Sequence, residues 1–395
     1  MKPSFLFTSE TVTDGHPDRL CDSISDAIVD RFLQKDPYSR IIAECALSKN
    51  VLFLAARFAS SARIDIPDVA RAVLGESGYK VQDFDAANCS VLTSLIEMPA
   101  TMRAQADERD LSPVELERFT AHSPVSVFGY ACTQTPELMP LPISLASRLS
   151  RALIAARKQK KVSGLSPDCT VQVGVEYREG NPARIAGITI IAGSVASKPS
   201  EPAELRTNLI HEVIGPLFAG DAMKPDEGCE IFINPQGAFP KSGPGSHSGM
   251  TGRKTAADTY GAYARHSGSA LSGKDPSRVD RVGVYMARYA AKNVVAAGLA
   301  EECEVQLSYA IGHAGPISIQ VQTFGTGNID DQAIGERLRA VFDFRLGAII
   351  RDFKLRHLPS LHASGFYRHL PVEGHIGRLG STVPWELTDK ADSLR

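Results

Sequence analysis

The chain has 395 residues, 43% of them hydrophobic and 22% charged, with 43 basic against 45 acidic residues and a net charge of −2. This composition suits a globular chain of two or three domains and offers no basic excess for nonspecific contact with nucleic acid or acidic membranes. No apolar run approaches the roughly 20 residues of a membrane span. The N-terminal residues carry no signal-peptide core, and seven cysteines stand singly at 21, 45, 89, 132, 169, 229 and 303 without metal-ligand spacing. Reduced thiols in a cytoplasm are the expectation.

In chain order, a short strand from residue 4 leads to His16-Pro17-Asp18-Arg19 and a helix whose Leu20, Ile24, Ile28 and Phe32 share one face. Pro17 suits its first turn. His16 and Asp18 then lie near a helix N-terminus, where an aspartate holds Mg²⁺ against phosphates or simply stabilises the helix dipole. Paired strands follow at 40–47 and 51–58, then a helix over 66–74. Residues 99–124 are polar and poorly periodic, which predicts a long loop with a partial helix at 113–119, used as a lid. A strand through Tyr130, a helix over 143–161 and strands at 170–177, 184–195 and 230–233 come next. Pairs of strands alternating with helices three times over indicate α+β layers. A last helix is expected over 331–342, before a His-, Pro- and Gly-rich tail with the only tryptophan.

The stretch from 242 to 281 is the densest in chemistry. Gly243, Gly245, Gly249 and Gly252 lead to the adjacent cations Arg253 and Lys254. Such glycines let backbone N–H groups approach a ligand, as a phosphate-cradling loop requires. Asp275 reads as an N-cap, Pro276 as the first helical residue and Gly298 as the stop. Lys274 and Arg278 sit beside that N-terminus, where the dipole disfavours cations and a bound polyanion relieves the conflict. A solvated basic turn fits these residues equally well.

Phe7-Thr8-Ser9-Glu10 with Gly15-His16-Pro17-Asp18, Gly249-Met250-Thr251-Gly252-Arg253-Lys254, and 272–281 (SGKDPSRVDR) resemble the signatures of the methionine adenosyltransferase (S-adenosylmethionine synthetase) family. Order and spacing match across nearly the whole chain, with support from 128–131 (FGYA), 232–235 (FINP), 309–312 (YAIG) and the terminal Pro384-Trp385-Glu386. The resemblance implies three similar α+β domains about a pseudo-threefold axis, here 2–102, 115–231 and 232–382 with the chain interleaving between them. It implies active sites between the subunits of a homodimer, often paired into a homotetramer.

The resemblance also implies the chemistry. Methionine sulfur attacks C5′ of ATP and expels triphosphate, which is hydrolysed to phosphate and pyrophosphate. It implies that His16 faces the bridging oxygen, Asp18 and Asp280 hold Mg²⁺, and Arg253, Lys254, Lys274 and Arg278 hold triphosphate. Phe239 and Ile311 match positions that sandwich adenine, Asp168 one that binds ribose, and Glu44 the acidic residue of a K⁺ site.

Departures from the family pattern cluster around the acceptor. Carboxylates that the family directs at the methionine ammonium are here Arg57 and Ser123, and the aspartate of the glycine loop is His247. A lysine expected at 170 is Thr170. His122 and Gln105 are substitute acceptor-site candidates. Each change makes that half of the site less negative, and a hydrogen bond to a charged group contributes about 1.5–3 kcal/mol. Three functions follow: an adenosyltransferase using methionine or an altered acceptor, a triphosphate-releasing or -hydrolysing ATP enzyme without methionine transfer, or a nucleotide-binding pseudoenzyme subunit.

Overall fold

The structure is a computed structural model that describes residues 4–104, 106–195, 201–239, 242–379 and 383–395. The first half of the chain supplies β1 (Phe5–Val12), α1 (Pro17–Lys35), β2 (Arg40–Ser48), β3 (Val51–Ala59), α2 (Ile66–Glu76), β4 (Ser90–Glu97), β5 (Val125–Cys132) and α3 (Leu141–Lys158). The second supplies β6 (Leu165–Arg178), β7 (Asn181–Ser194), α4 (Pro202–Leu209), β8 (Glu230–Ile233), β9 (Gly249–Met250), α5 (Val279–Ala296), β10 (Glu302–Tyr309), β11 (Ser318–Gln322) and α6 (Asp331–Val341).

Three sheets result, in the orders β1-β6-β7-β8, β11-β10-β5 and β4-β3-β2-β9. One long helix packs on each: α3 on the first, α5 on the second and α1 on the third. This is an α+β architecture built three times. The sheets do not follow the chain in blocks, since β1 pairs with β6 and β9 joins β2.

The third sheet buries only one face. Along β2 and β3, residues alternate between the core beneath α1 and the outside. The inner set includes Ile41, Ala43, Leu52 and Leu54, all buried. Register places Ile42, Glu44 and Ala46 opposite Arg57, Ala55 and Phe53, and Leu92 and Ile96 of β4 continue the outer row. Period-2 alternation thus puts an apolar strip on the exposed side.

The long helices carry buried charge. α1 begins with Pro17 after His16, whose side chain caps the Asp18 N–H. Further along, the Arg281 guanidinium of α5 donates to both oxygens of Asp26 at 2.7 and 3.0 Å, with neither side chain exposed. Arg288 donates to Glu386 at 3.0 and 3.1 Å and to three backbone carbonyls, and Lys292 reaches the same carboxylate at 2.8 Å. Trp385 stacks on Tyr285 with ring centroids 3.7 Å apart. The terminal Pro-Trp-Glu motif therefore clamps the tail to α5.

One expectation from the sequence needs correction, and a second needs extending. α5 starts at Val279, with Arg278 at its N-cap, so Asp275 does not cap it. Asp275 instead accepts the Ile41 N–H at 2.7 Å and the Ser277 N–H at 2.7 Å, fastening the turn to β2 where a strand N–H needs a partner. The segment 99–124, expected as a long loop with a partial helix at 113–119, has that helix at Pro113–Leu116 and two further short turns at Ala100–Met102 and Glu108–Asp110. Glu108 forms a buried pair with Arg356 at 2.7 Å, and Asp107 meets His357 at 2.9 Å. Patterning hid this because the anchors are ionic.

Leaving one member of a buried ion pair without its partner costs about 3–5 kcal/mol. Arg281→Met should therefore lower the free energy of unfolding by that amount in chemical denaturation. The double variant Asp26→Leu/Arg281→Met should lose less than the sum of the two single changes. Additive losses would mean that the pair is not coupled.

Candidate active site

The first cluster forms where the start of α1 meets the glycine loop. β9 can touch α1 only because Gly249 lacks a side chain: a Cβ there would lie 2.1 Å from the Pro17 carbonyl carbon. That approach lets the Met250 N–H donate to Asp18 at 2.9 Å and brings Lys254 Nζ to the other oxygen at 2.5 Å. Arg253 lies 3.7 Å from the same carboxylate. Burial works against ionisation of Asp18, but the Lys254 and Met250 bonds prevail and hold its pKa below the usual carboxylate value.

His16 and Asp168 face each other across this cluster. His16 Nδ1 accepts the Asp18 N–H at 3.1 Å, which leaves the proton of the neutral ring on Nε2. Burial above all, opposed by the carboxylates of Asp168 and Asp18 and helped by Lys254 and His247, brings the imidazole pKa down to about 4. Asp168 is buried, and its Oδ2 accepts the Gly243 N–H and meets His247 Nε2, each at 2.7 Å. The His16 and His247 rings stand edge to face at 5.0 Å. Phe239, 37% exposed, is tied to the end of β7 by the Ser194 N–H, which donates to its carbonyl.

The second cluster lies at the other end of β2. Ile42 forms a bridge with Lys274, whose Nζ is 3.5 Å from Asp280. Burial lowers the Lys274 pKa, opposed by Asp280 and Glu44. Glu44 and Arg57 share the outer face of the sheet, Arg57 directly opposite Ile42. Arg40 meets His122 Nε2 at 2.9 Å, and burial lowers the His122 pKa with help from Arg40 and Arg278. Ile311, 63% exposed, sits on a loop stitched to residue 121 through Gly312 and His313. Ser123 follows in the same turn. A cavity of about 610 Å³ opens beside Arg40, His122 and Ser277.

The two clusters do not merge within one chain. Ile42 pairs at the second, Leu47 pairs with Gly249 at the first, and five residues of strand span about 16 Å. His16, Asp18, Asp168, Phe239, His247, Arg253 and Lys254 thus gather at one end. Glu44, Arg57, His122, Ser123, Lys274, Arg278, Asp280 and Ile311 gather at the other. Asp18 and Asp280 cannot reach one ion together from the same chain. Gln105 lies outside the described residues. Thr170 sits in β6 opposite Val12 and supplies no cation. Sequence reasoning missed Arg40, which carries no motif signal and is placed only by the register of β2.

The pKa of His16 has a direct consequence. An unfolded histidine takes up its proton near pH 6.5 and folded His16 only near pH 4, so this group weakens folding as pH falls between those values and is without effect above them. In an NMR titration the His16 ring should show a midpoint near 4, rising in Lys254→Met. A midpoint near 6.5 would contradict the buried, neutral ring.

Comparison with known proteins accords with these motifs. Residues 4–100, 118–239 and 242–387 match the models of the S-adenosylmethionine synthetase N-terminal, central and C-terminal domains. The chain is 43% identical to the S-adenosylmethionine synthases of Trichormus variabilis and Acaryochloris marina, covering 100% of this chain and 97% of each relative. It is 43% identical to that of Thermosynechococcus vestitus, covering 99% and 97%. The chain belongs to the S-adenosylmethionine synthetase family.

Proposed function

We propose that this protein transfers the adenosyl group of ATP to the sulfur of methionine and releases the triphosphate as phosphate and pyrophosphate. The observation that carries this reading is His16, whose Nδ1 accepts the Asp18 N–H and so turns an Nε2–H away from that contact, with Lys254 nearby. In the displacement, a sulfur lone pair forms the bond to C5′ and the C5′–O bond electrons leave with triphosphate. No proton leaves the thioether, so no base is needed at sulfur. Charge develops on the departing oxygen, where a preorganised donor stabilises the transition state most. His16 donates there, and Arg253 and Lys254 balance the phosphates. Asp168 receives the ribose hydroxyls, and Phe239 and Ile311 flank adenine.

The metals follow from the donor sets. Asp18 offers a carboxylate held ionised by Lys254 and the Met250 N–H, and Asp280 offers a second carboxylate at the other cluster, beside Lys274. One or two carboxylates plus substrate phosphates suit Mg²⁺, which would neutralise triphosphate charge when bound. Glu44 would contribute to a K⁺ site. Separation of the clusters along β2 supports a shared site, with the first cluster of one chain completed by the second cluster of another. The outer face of the third sheet supports a homodimer, since Phe53, Leu92, Ile96 and Met250 are about half-exposed there beside Glu44 and Arg57. Exposed apolar patches of this kind mark association surfaces, and assembly to a homotetramer fits the same plan. Among the described residues, no helix is long and apolar enough to cross a membrane.

Arg57 and Ser123 lie at the same end of β2, which supports a methionine site short of negative charge for the ammonium group. The test is product analysis from ATP and methionine: S-adenosylmethionine, phosphate and pyrophosphate in equal amounts are expected. Arg57→Glu with Ser123→Asp should lower KM for methionine by about tenfold, roughly one charge-assisted hydrogen bond, with KM for ATP unchanged. Triphosphate release without a sulfonium product would overturn the transferase reading.

A further inference from the structure

We propose that His16, Asp168 and His247 form a binding site for a divalent transition-metal ion of the zinc class, and that its occupation excludes adenosine. One ligand atom from each residue lies within 4.8 Å of the other two, and among the described residues no other three such side chains stand this close. Zinc binds nitrogen and oxygen donors at about 2.0–2.2 Å in tetrahedral geometry, so small rotations of the two rings close the set around an ion. Two imidazoles and one carboxylate leave a fourth position open for water.

The donor chemistry separates this site from the one at Asp18. Imidazole nitrogen favours zinc, copper, nickel and related ions, whereas Mg²⁺ prefers oxygen. The scaffold is largely built. Asp168 is 4% exposed and is held through Oδ2 by the Gly243 N–H. The His247 ring already touches Asp168, and the His16 ring stands 5.0 Å from the His247 ring between centroids. The His247 side chain is 37% exposed, which provides a route for an ion from solvent. Each ring binds as a neutral imidazole with its one proton on the nitrogen turned from the ion. For His16 ligating through Nε2, that proton moves to Nδ1 and the hydrogen bond from the Asp18 N–H is given up.

His247 decides the matter. With the aspartate that the family pattern leads one to expect at this position, the set would be one histidine and two carboxylates. The exclusion of adenosine rests on the function proposed above, in which Asp168 receives ribose and His16 faces the C5′ oxygen. Zinc at this site would therefore inhibit the enzyme by competing with nucleotide.

The test is calorimetric titration of the metal-free full-length protein with zinc chloride. One equivalent per chain is expected for the unaltered protein, with affinity at least tenfold lower in His247→Asp and in His247→Gln. The exposed His211→Gln is the control and should bind as the parent does. Thermal unfolding of each metal-free variant establishes that the fold is retained. Adenosine, which unlike ATP has no phosphates to chelate zinc, should weaken zinc binding by about tenfold at saturation. Equal zinc affinity in the parent, His247→Asp and His247→Gln would overturn the site. Zinc binding that depends on His247 but ignores saturating adenosine would uphold the metal site and overturn the exclusion. Failure of adenosine to bind metal-free protein would count against the nucleotide reading, while the dependence on His247 would still uphold the metal site.

Discussion

The buried pair between Asp26 and Arg281 holds the two halves of the candidate site in register. Asp26 also accepts the Gly273 N–H at 2.8 Å, and Arg281 donates to the Lys274 carbonyl at 2.9 Å. Asp26 lies on the helix that begins at His16 and Asp18, and Arg281 lies beside Asp280. One ion pair therefore fixes where Lys274 and Asp280 stand relative to the start of α1. Removing two charges from water is costly, and a buried pair returns that cost only with full hydrogen bonding. Here both carboxylate oxygens are used, and the guanidinium has two further acceptors, the Lys274 carbonyl and the Tyr285 hydroxyl oxygen. Gly273, at φ +80° and with the Ala43 carbonyl 2.0 Å from any Cβ, is what allows the backbone to come so close.

Much of this was legible from residue order. The strands β2 and β3 were legible as paired runs at 40–47 and 51–58, although which face each residue takes came only from the fold, and α1 shows its apolar face together with Pro17 at the first turn. The glycine loop and its two cations read equally well as an anion site or a solvated basic turn, and the family resemblance favoured the first. Other parts depend on tertiary partners and left no local signal. Asp275 has the residue type and spacing of an N-cap, yet the unpaired Ile41 N–H of β2 claims its carboxylate. Glu108 looks like an ordinary loop acid until Arg356, 248 residues away, buries it. Arg40 carries no motif and becomes part of the site only through the pairing of β2.

The same distinction applies to the substitutions. His247, Arg57 and Ser123 stand out together in sequence as losses of negative charge around the acceptor. In space they separate. His247 joins Asp168 and His16, while Arg57 and Ser123 belong to the cluster with Lys274. On the function proposed above, their effects differ accordingly: His247 would add a nitrogen donor on the nucleotide side, and Arg57 and Ser123 would leave an ammonium group with fewer partners. Thr170 removes a cation outright, which leaves Arg253 and Lys254 as the basic side chains of the first cluster.

The central claim is that one chain holds two half-sites that only a second chain can combine. Subunit mixing tests it most directly. Asp18→Asn disables the first half-site and Asp280→Asn the second, so each homodimer should be nearly inactive. In a randomly mixed population, half the dimers are heterodimers, and each has one site built from two intact halves. Mixing after mild dissociation should therefore restore about one quarter of the parental rate of S-adenosylmethionine formation. A mixture no more active than the sum of its two components would contradict a site shared between chains.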